Sequence, residues 1–228
     1  MVWCMVLSEK LFSGLSKEEL FFIVRALLVS RMGSLLAFIG VSIFYIIYYM
    51  YSMEILDLWG LFEDLINSFL YGRTLSVSID TGLGPLIVLI VSVLIYVYGF
   101  VGRFMKGVYD LFEYFPYHLS IIVTAHFTYI IYGGSFIVLA FIALSSQLGF
   151  NLSILLLPLY VIVLILFIIT RIFGGLLLKR LASIIDSGLV GGAGIMLYLS
   201  ILFPFVEIIT WFLVYIGLDS RVRSILGG

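Results

Sequence analysis

A single cysteine, Cys4, leaves no partner for an internal disulfide and no thiolate cluster for a metal. Histidine is nearly as rare. His118 and His126 stand eight apart on one apolar run, a poor arrangement for a metal site or for a haem held between helices. No metal and no other cofactor is therefore expected. No Gly-Lys-Ser or Gly-Lys-Thr phosphate loop occurs, so the chain does not hydrolyse ATP by that route. No nucleophile–base pair or metal-ligand constellation is visible, which argues against an enzyme. Amide side chains are few (Asn67, Gln147 and Asn151), a weak sign of a thermophile.

Charge is the most telling shortage. Charged residues make up 11% of the 228 positions, against about 25% in soluble domains. Apolar residues reach 64%, with a mean hydropathy of +1.28. A chain of this length has no aqueous fold that buries so much apolar surface, so part of its solvent is lipid. The net charge of −1 carries no argument for nucleic acid, and none is expected as a partner.

What is present is a series of long apolar runs at about 34–53, 85–102, 117–145, 152–174 and 188–217. About 20 apolar residues are needed to cross roughly 30 Å of hydrocarbon. The expected fold is an all-α polytopic membrane bundle of five transmembrane helices, or six if the last run forms a hairpin. A cytoplasmic amphipathic segment spans 1–33, the transmembrane domain 34–218 and a short tail 219–228. The opening stretch lacks the charged-then-apolar order of a cleavable signal peptide. Basic residues favour the cytoplasmic side. Placing the N-terminus inside puts Lys10, Lys17, Arg25, Arg31, Arg103, Lys106, Arg171, Lys179 and Arg180 there, with Arg73, Arg221 and Arg223 outside. The location is then a cell membrane, with the C-terminus outside if there are five spans.

Several flanking segments have their own patterns. Ser16 with Glu19 reads as a capping box, opening an amphipathic helix with Lys17, Arg25 and Arg31 opposite Phe21, Val24 and Leu28. This helix either lies in the inner interface or extends the first span. The segment 54–71 looks like a second surface helix, and 74–80 alternates weakly like a strand. Tyr45, Tyr48, Tyr49 and Tyr51 suit an aromatic belt.

The stretch from Gly102 to Pro116, GRFMKGVYDLFEYFP, interrupts the apolar runs. On a helix Arg103, Lys106, Asp110 and Glu113 form one stripe, while Phe104, Val108, Leu111 and Phe115 cover the other side. Pro116 ends the helix, because the residue before proline avoids helical geometry. Arg103, Gly107, Asp110, Leu111 and Pro116 together resemble a motif in the permease family of ABC type-2 exporters. In that family a Gly-Thr-x-Glu-x-Leu core with a preceding arginine and a following proline forms the coupling helix. Here Val108 stands for the threonine and Asp110 for the glutamate. The similarity extends by order and pattern over 17–206, including FFIVRALLVSRMGSLLAFIG before the first span and the region 173–204. It implies that 103–116 docks on a separate ATP-binding subunit. It also implies that the chain pairs with a second permease subunit in membrane lipid and exports a substrate. The family's sixth span has only VEIITWFLVYIGLDSRVRSILGG to match it here.

Two polar residues stand out in apolar surroundings, Glu207 and His126, since ionisable groups are expensive in lipid. They raise the alternative of an ion- or proton-coupled carrier; a third reading is an accessory subunit of a membrane complex. Gly188 and Gly192, at GxxxG spacing, are candidates for close helix packing within the chain or with a second copy.

Overall fold

The computed structural model describes residues 16–51, 83–113, 119–147 and 153–227. The surface helix expected at 54–71, the strand signal at 74–80, Cys4, Lys10, Arg73, Phe115, Pro116, His118 and the side chains of Tyr48 and Tyr51 fall outside what is described. The described chain is all-helical, and three of its helices are long and apolar enough to cross a membrane.

The first helix, α1 (Lys17–Tyr51), merges the amphipathic segment and the first apolar run into one rod of 35 residues. It begins as the sequence predicts. The Glu19 amide donates to Ser16 Oγ at 3.2 Å, and the Ser16 amide donates to Glu19 Oε2 at 2.7 Å. This satisfies two backbone donors at a helix start that otherwise lack partners. A Ser16→Ala variant is expected to weaken that start by about 1 kcal/mol, seen as faster hydrogen exchange in the first turn of α1 and nowhere else.

Helix α2 (Leu83–Val97) passes without a break through a π-helical segment, Tyr98–Phe104, into α3 (Met105–Phe112). The expected separate coupling helix is thus the end of a longer rod. Then come α4 (Leu119–Gln147), α5 (Ser153–Ile185), α6 (Gly188–Leu199) and α7 (Val206–Leu226). The apolar run 188–217 is not one span. It folds as an α6–α7 hairpin with Pro204 in its turn, because a 12-residue α6 ends at Ser200 and α7 reverses direction.

Ring and charge contacts fix the direction of α7. Phe38 packs on Phe212 at 5.5 Å, and Arg31 pairs with Asp219 at 2.5 Å. Helix α7 therefore runs antiparallel to α1, and its C-terminal end lies beside the N-terminal half of α1. Arg221 and Arg223, expected on the opposite side, belong to this same end; Arg223 shares Asp219 with Arg31 at 2.8 Å.

The closest seam is between α1 and the α2–α3 rod. Ala26, Ser30, Gly33, Ala37 and Gly40 make a small-residue face on α1 at helical spacing, and all of them are buried. A Cβ built on Gly40 would stand 2.6 Å from the Tyr96 amide nitrogen, and one on Gly99 would stand 2.6 Å from that of Ala37. Such backbone approach is what small residues permit when helices pack in lipid. The π segment sits in this seam, where Ser30 Oγ donates to the Phe104 carbonyl at 3.4 Å.

Candidate functional site

The site is built on residues from four helices. Arg171 lies in the middle of α5 and is 2% exposed; Glu207 lies in the first turn of α7 and is 1% exposed. Arg171 Nη2 donates to Glu207 Oε2. From α2, Tyr96 Oη donates to Glu207 Oε1 at 2.6 Å, and Trp211 Nε1 approaches the same oxygen at 3.4 Å from the next turn of α7. The start of α7 also favours a carboxylate electrostatically, because the positive end of the helix dipole lies there. On the other side, Arg171 Nη1 donates to Thr170 Oγ1 at 3.0 Å. Its guanidinium lies 3.9 Å from the Phe167 ring centre and 5.1 Å from that of Tyr132 on α4, both within cation–π range. Two opposite charges out of water are tolerable only when paired and hydrogen-bonded in this way.

Below the pair the interior is closed by aromatic rings. Phe100 contacts Tyr129 at 3.9 Å, Trp211 at 5.2 Å and Phe104 at 5.5 Å. All four rings are 2% exposed or less. Above the pair lies a cavity of about 50 Å³ walled by Val41, Phe44, Tyr45, Val93, Val97 and Tyr132, with Arg171 and Glu207 at its floor. Every described lysine and arginine other than Arg171 lies on the aromatic side of the pair; the described residues above it carry no charge.

The charged stripe forms. Arg103, Lys106, Asp110 and Glu113 are exposed, while Phe104, Val108 and Leu111 are buried. Gly107 is buried too, pressed against Ser30 and the Ala26 carbonyl. Of the proposed docking residues, Gly107 thus faces the chain's own α1, Leu111 is buried, and the four charged ones are exposed. Lys106 and Asp110 are not among the ion pairs formed between described residues.

Glu207 and His126 are not brought together. His126 packs 5.4 Å from the Tyr109 ring on α3 and beside Phe127, toward the basic end. Gly188 and Gly192 meet no side chain or backbone within 4 Å of an added Cβ; the close seam of the chain is the Gly33–Gly40–Gly99–Gly107 set instead.

Comparison with protein-family models, with curated proteins and with solved structures finds no match to this chain.

Arg171 is the residue that sequence reasoning misplaced, by counting it as a cytoplasmic flank. The signal was available: it sits within LFIITRIFGGLLL, with apolar residues on both sides. That is the same context that singled out Glu207. Tyr96, Tyr132 and Trp211 carried no such signal, since tyrosine and tryptophan are common in membrane helices.

Proposed function

We propose that the protein is the membrane-spanning, permease-type subunit of an ABC-type exporter. Its basic end faces the cytoplasm, where a separate ATP-hydrolysing subunit docks. The carrying observation is the α3 stripe. Four charged side chains stand exposed on the end of a rod whose other face is fixed against α1. A load applied to Arg103, Lys106, Asp110 and Glu113 would pass into α1 through the glycine seam. It would reach α7 through Phe100, Phe104 and Trp211. A mobile loop would absorb the same load.

The placement in the membrane follows from charge. With Arg103 at the cytoplasmic interface, Tyr96 and the ion pair beside it lie roughly 10 Å into the hydrocarbon, at 1.5 Å per residue. Leu83 is then about 30 Å from Arg103 on the same arithmetic, close to the far boundary. Six helical passes, with α6–α7 as a short hairpin, bring both ends of the described chain to the cytoplasm.

A proton carrier is less well supported. Glu207 is held by a guanidinium, a phenol and an indole. An acid–base relay needs a carboxylate free to take a proton, and His126 lies elsewhere.

The test uses the exposed charges. Reversing all four (Arg103→Glu, Lys106→Glu, Asp110→Lys, Glu113→Lys) keeps the net charge and touches no buried side chain. A tagged wild-type protein is expected to co-purify with a stoichiometric nucleotide-hydrolysing subunit. The reversed variant is expected to lose it while keeping its helical circular dichroism. Recovery of other membrane proteins without an ATPase would favour the accessory-subunit reading and sink this one.

A further inference from the structure

The charged stripe belongs to a longer row. Ser92, Tyr96, Gly99, Arg103, Lys106, Asp110 and Glu113 follow one another at alternating steps of four and three, the spacing of one face of a single α-helix. The structure splits this face. Ser92, Tyr96 and Gly99 are buried against α1, the first two bordering Gly40 and the third Gly33 and Ala37. Arg103, Lys106, Asp110 and Glu113 are exposed. Gly107 meets Ala26 and Ser30 in their place.

The break falls in the π segment, and the spacing of the contacts shows why. On α1, Ala26 and Gly33 stand seven apart, as do Ser30 and Ala37, close to two α-helical turns. The glycines that meet them, Gly107 and Gly99, stand eight apart. An α-helix turns about 100° per residue, so eight residues would carry Gly107 about 80° past α1 and bring Lys106 there instead. The four charges would then face a seam of alanine, serine and glycine that offers no opposite charge, a costly burial. A π turn takes up one residue more than an α turn. Here the Met105 amide donates to the Phe100 carbonyl, five residues back. Arg103 Nε donates to Tyr98 Oη at 3.0 Å, also across five residues; in α geometry that pair would point about 140° apart.

We infer that Tyr98–Phe104 is an aiming device: its one surplus residue turns the charged face of α3 off α1 and outward. That this face docks a partner rests on the reading above; the rephasing does not.

The experiment uses the full chain in nanodiscs, with Cys4→Ala removing the native thiol. A single cysteine is placed at Asp110, which is exposed, or at Val108, which is 0% exposed. The rate of reaction with a water-soluble maleimide reads which face is outward. In this parent, Asp110→Cys is expected to react at least tenfold faster than Val108→Cys. Deleting Gly102 removes the surplus, leaves Gly99 and Gly107 seven apart on a continuous α-helix, and should keep the tenfold preference. Inserting an alanine after Gly102 turns α3 by about a further 100° and should abolish it. A preference lost on deletion or kept on insertion overturns the inference. Deleting Leu94, an exposed residue in the α-helical part of the rod, is the control. It should lower the melting temperature, because no surplus exists there, while deletion of Gly102 should not. Equal losses from the two deletions overturn the inference even if the insertion fails to fold. Co-purification separates the two readings. An ATP-hydrolysing subunit kept by the Gly102 deletion and lost by the insertion supports both. The expected labelling with no such subunit, even in the parent, sinks the docking reading alone.

Discussion

Glu207→Leu alone is expected to destabilise the protein by about 3–5 kcal/mol, because it leaves the Arg171 guanidinium charged and unpaired in a dry interior. Arg171→Leu should do the same by stranding the carboxylate. Total stabilities are about 5–15 kcal/mol, so either change consumes a large share of the whole. The double variant Arg171→Leu/Glu207→Leu removes both charges and replaces them with apolar groups of comparable size. It should recover most of the loss, since an absent pair is cheaper than a broken one. Tyr96 and Trp211 then lose their shared acceptor, so recovery should fall short of wild type by about 1–3 kcal/mol. The measurement is equilibrium unfolding in mixed micelles, analysed as a double-mutant cycle. Additive single effects would show that the two residues do not act as a pair.

Gly40→Val is the second large effect expected. Its Cβ would lie 2.6 Å from the Tyr96 nitrogen and 2.8 Å from the Ser92 carbonyl oxygen. Both neighbours are backbone, so no rotamer change relieves the clash and α1 must separate from α2. A cost of about 3 kcal/mol or more is expected, at the upper end for overpacking. Gly192→Ala is the matched control. Nothing lies within 4 Å of its Cβ, and alanine in a helix interior is better than glycine by about 0.5–1 kcal/mol. The same unfolding measurement should therefore show the two substitutions moving stability in opposite directions. Destabilisation by Gly192→Ala would mean that this face is packed, for instance against a second copy.

The two glycine sets show how far sequence pattern reaches. Gly188 and Gly192 stand four apart and match a familiar spacing, yet they face open space. Gly33 and Gly40 stand seven apart, within a longer row that includes Ala26, Ser30 and Ala37. The row becomes visible only when two further small residues, Gly99 and Gly107, arrive from another helix. Spacing says that a face is small, not which face finds a partner. The ion pair was half legible for a similar reason. A glutamate in an apolar run announces a cost, but the residue that offsets it is 36 positions away and looked like an ordinary flanking arginine. His126 had the same appearance as Glu207 and ended in a separate neighbourhood.

By itself the sequence determined the solvent and the class of fold. Apolar runs this long and continuous read as helices in lipid, since backbone groups there need partners and the alternative, a closed barrel, is built of strands that alternate apolar and polar residues. It also determined the Ser16–Glu19 cap and the α3 stripe, because each depends only on residues within one or two helical turns. Tertiary structure alone decided that 188–217 folds back as a hairpin and that the C-terminal arginines return to the basic end. It alone matched Arg171 with Glu207. Those outcomes depend on which helix lies beside which. Arg31 meeting Asp219 and Phe38 meeting Phe212 are contacts between residues more than 170 positions apart, beyond the reach of any local periodicity.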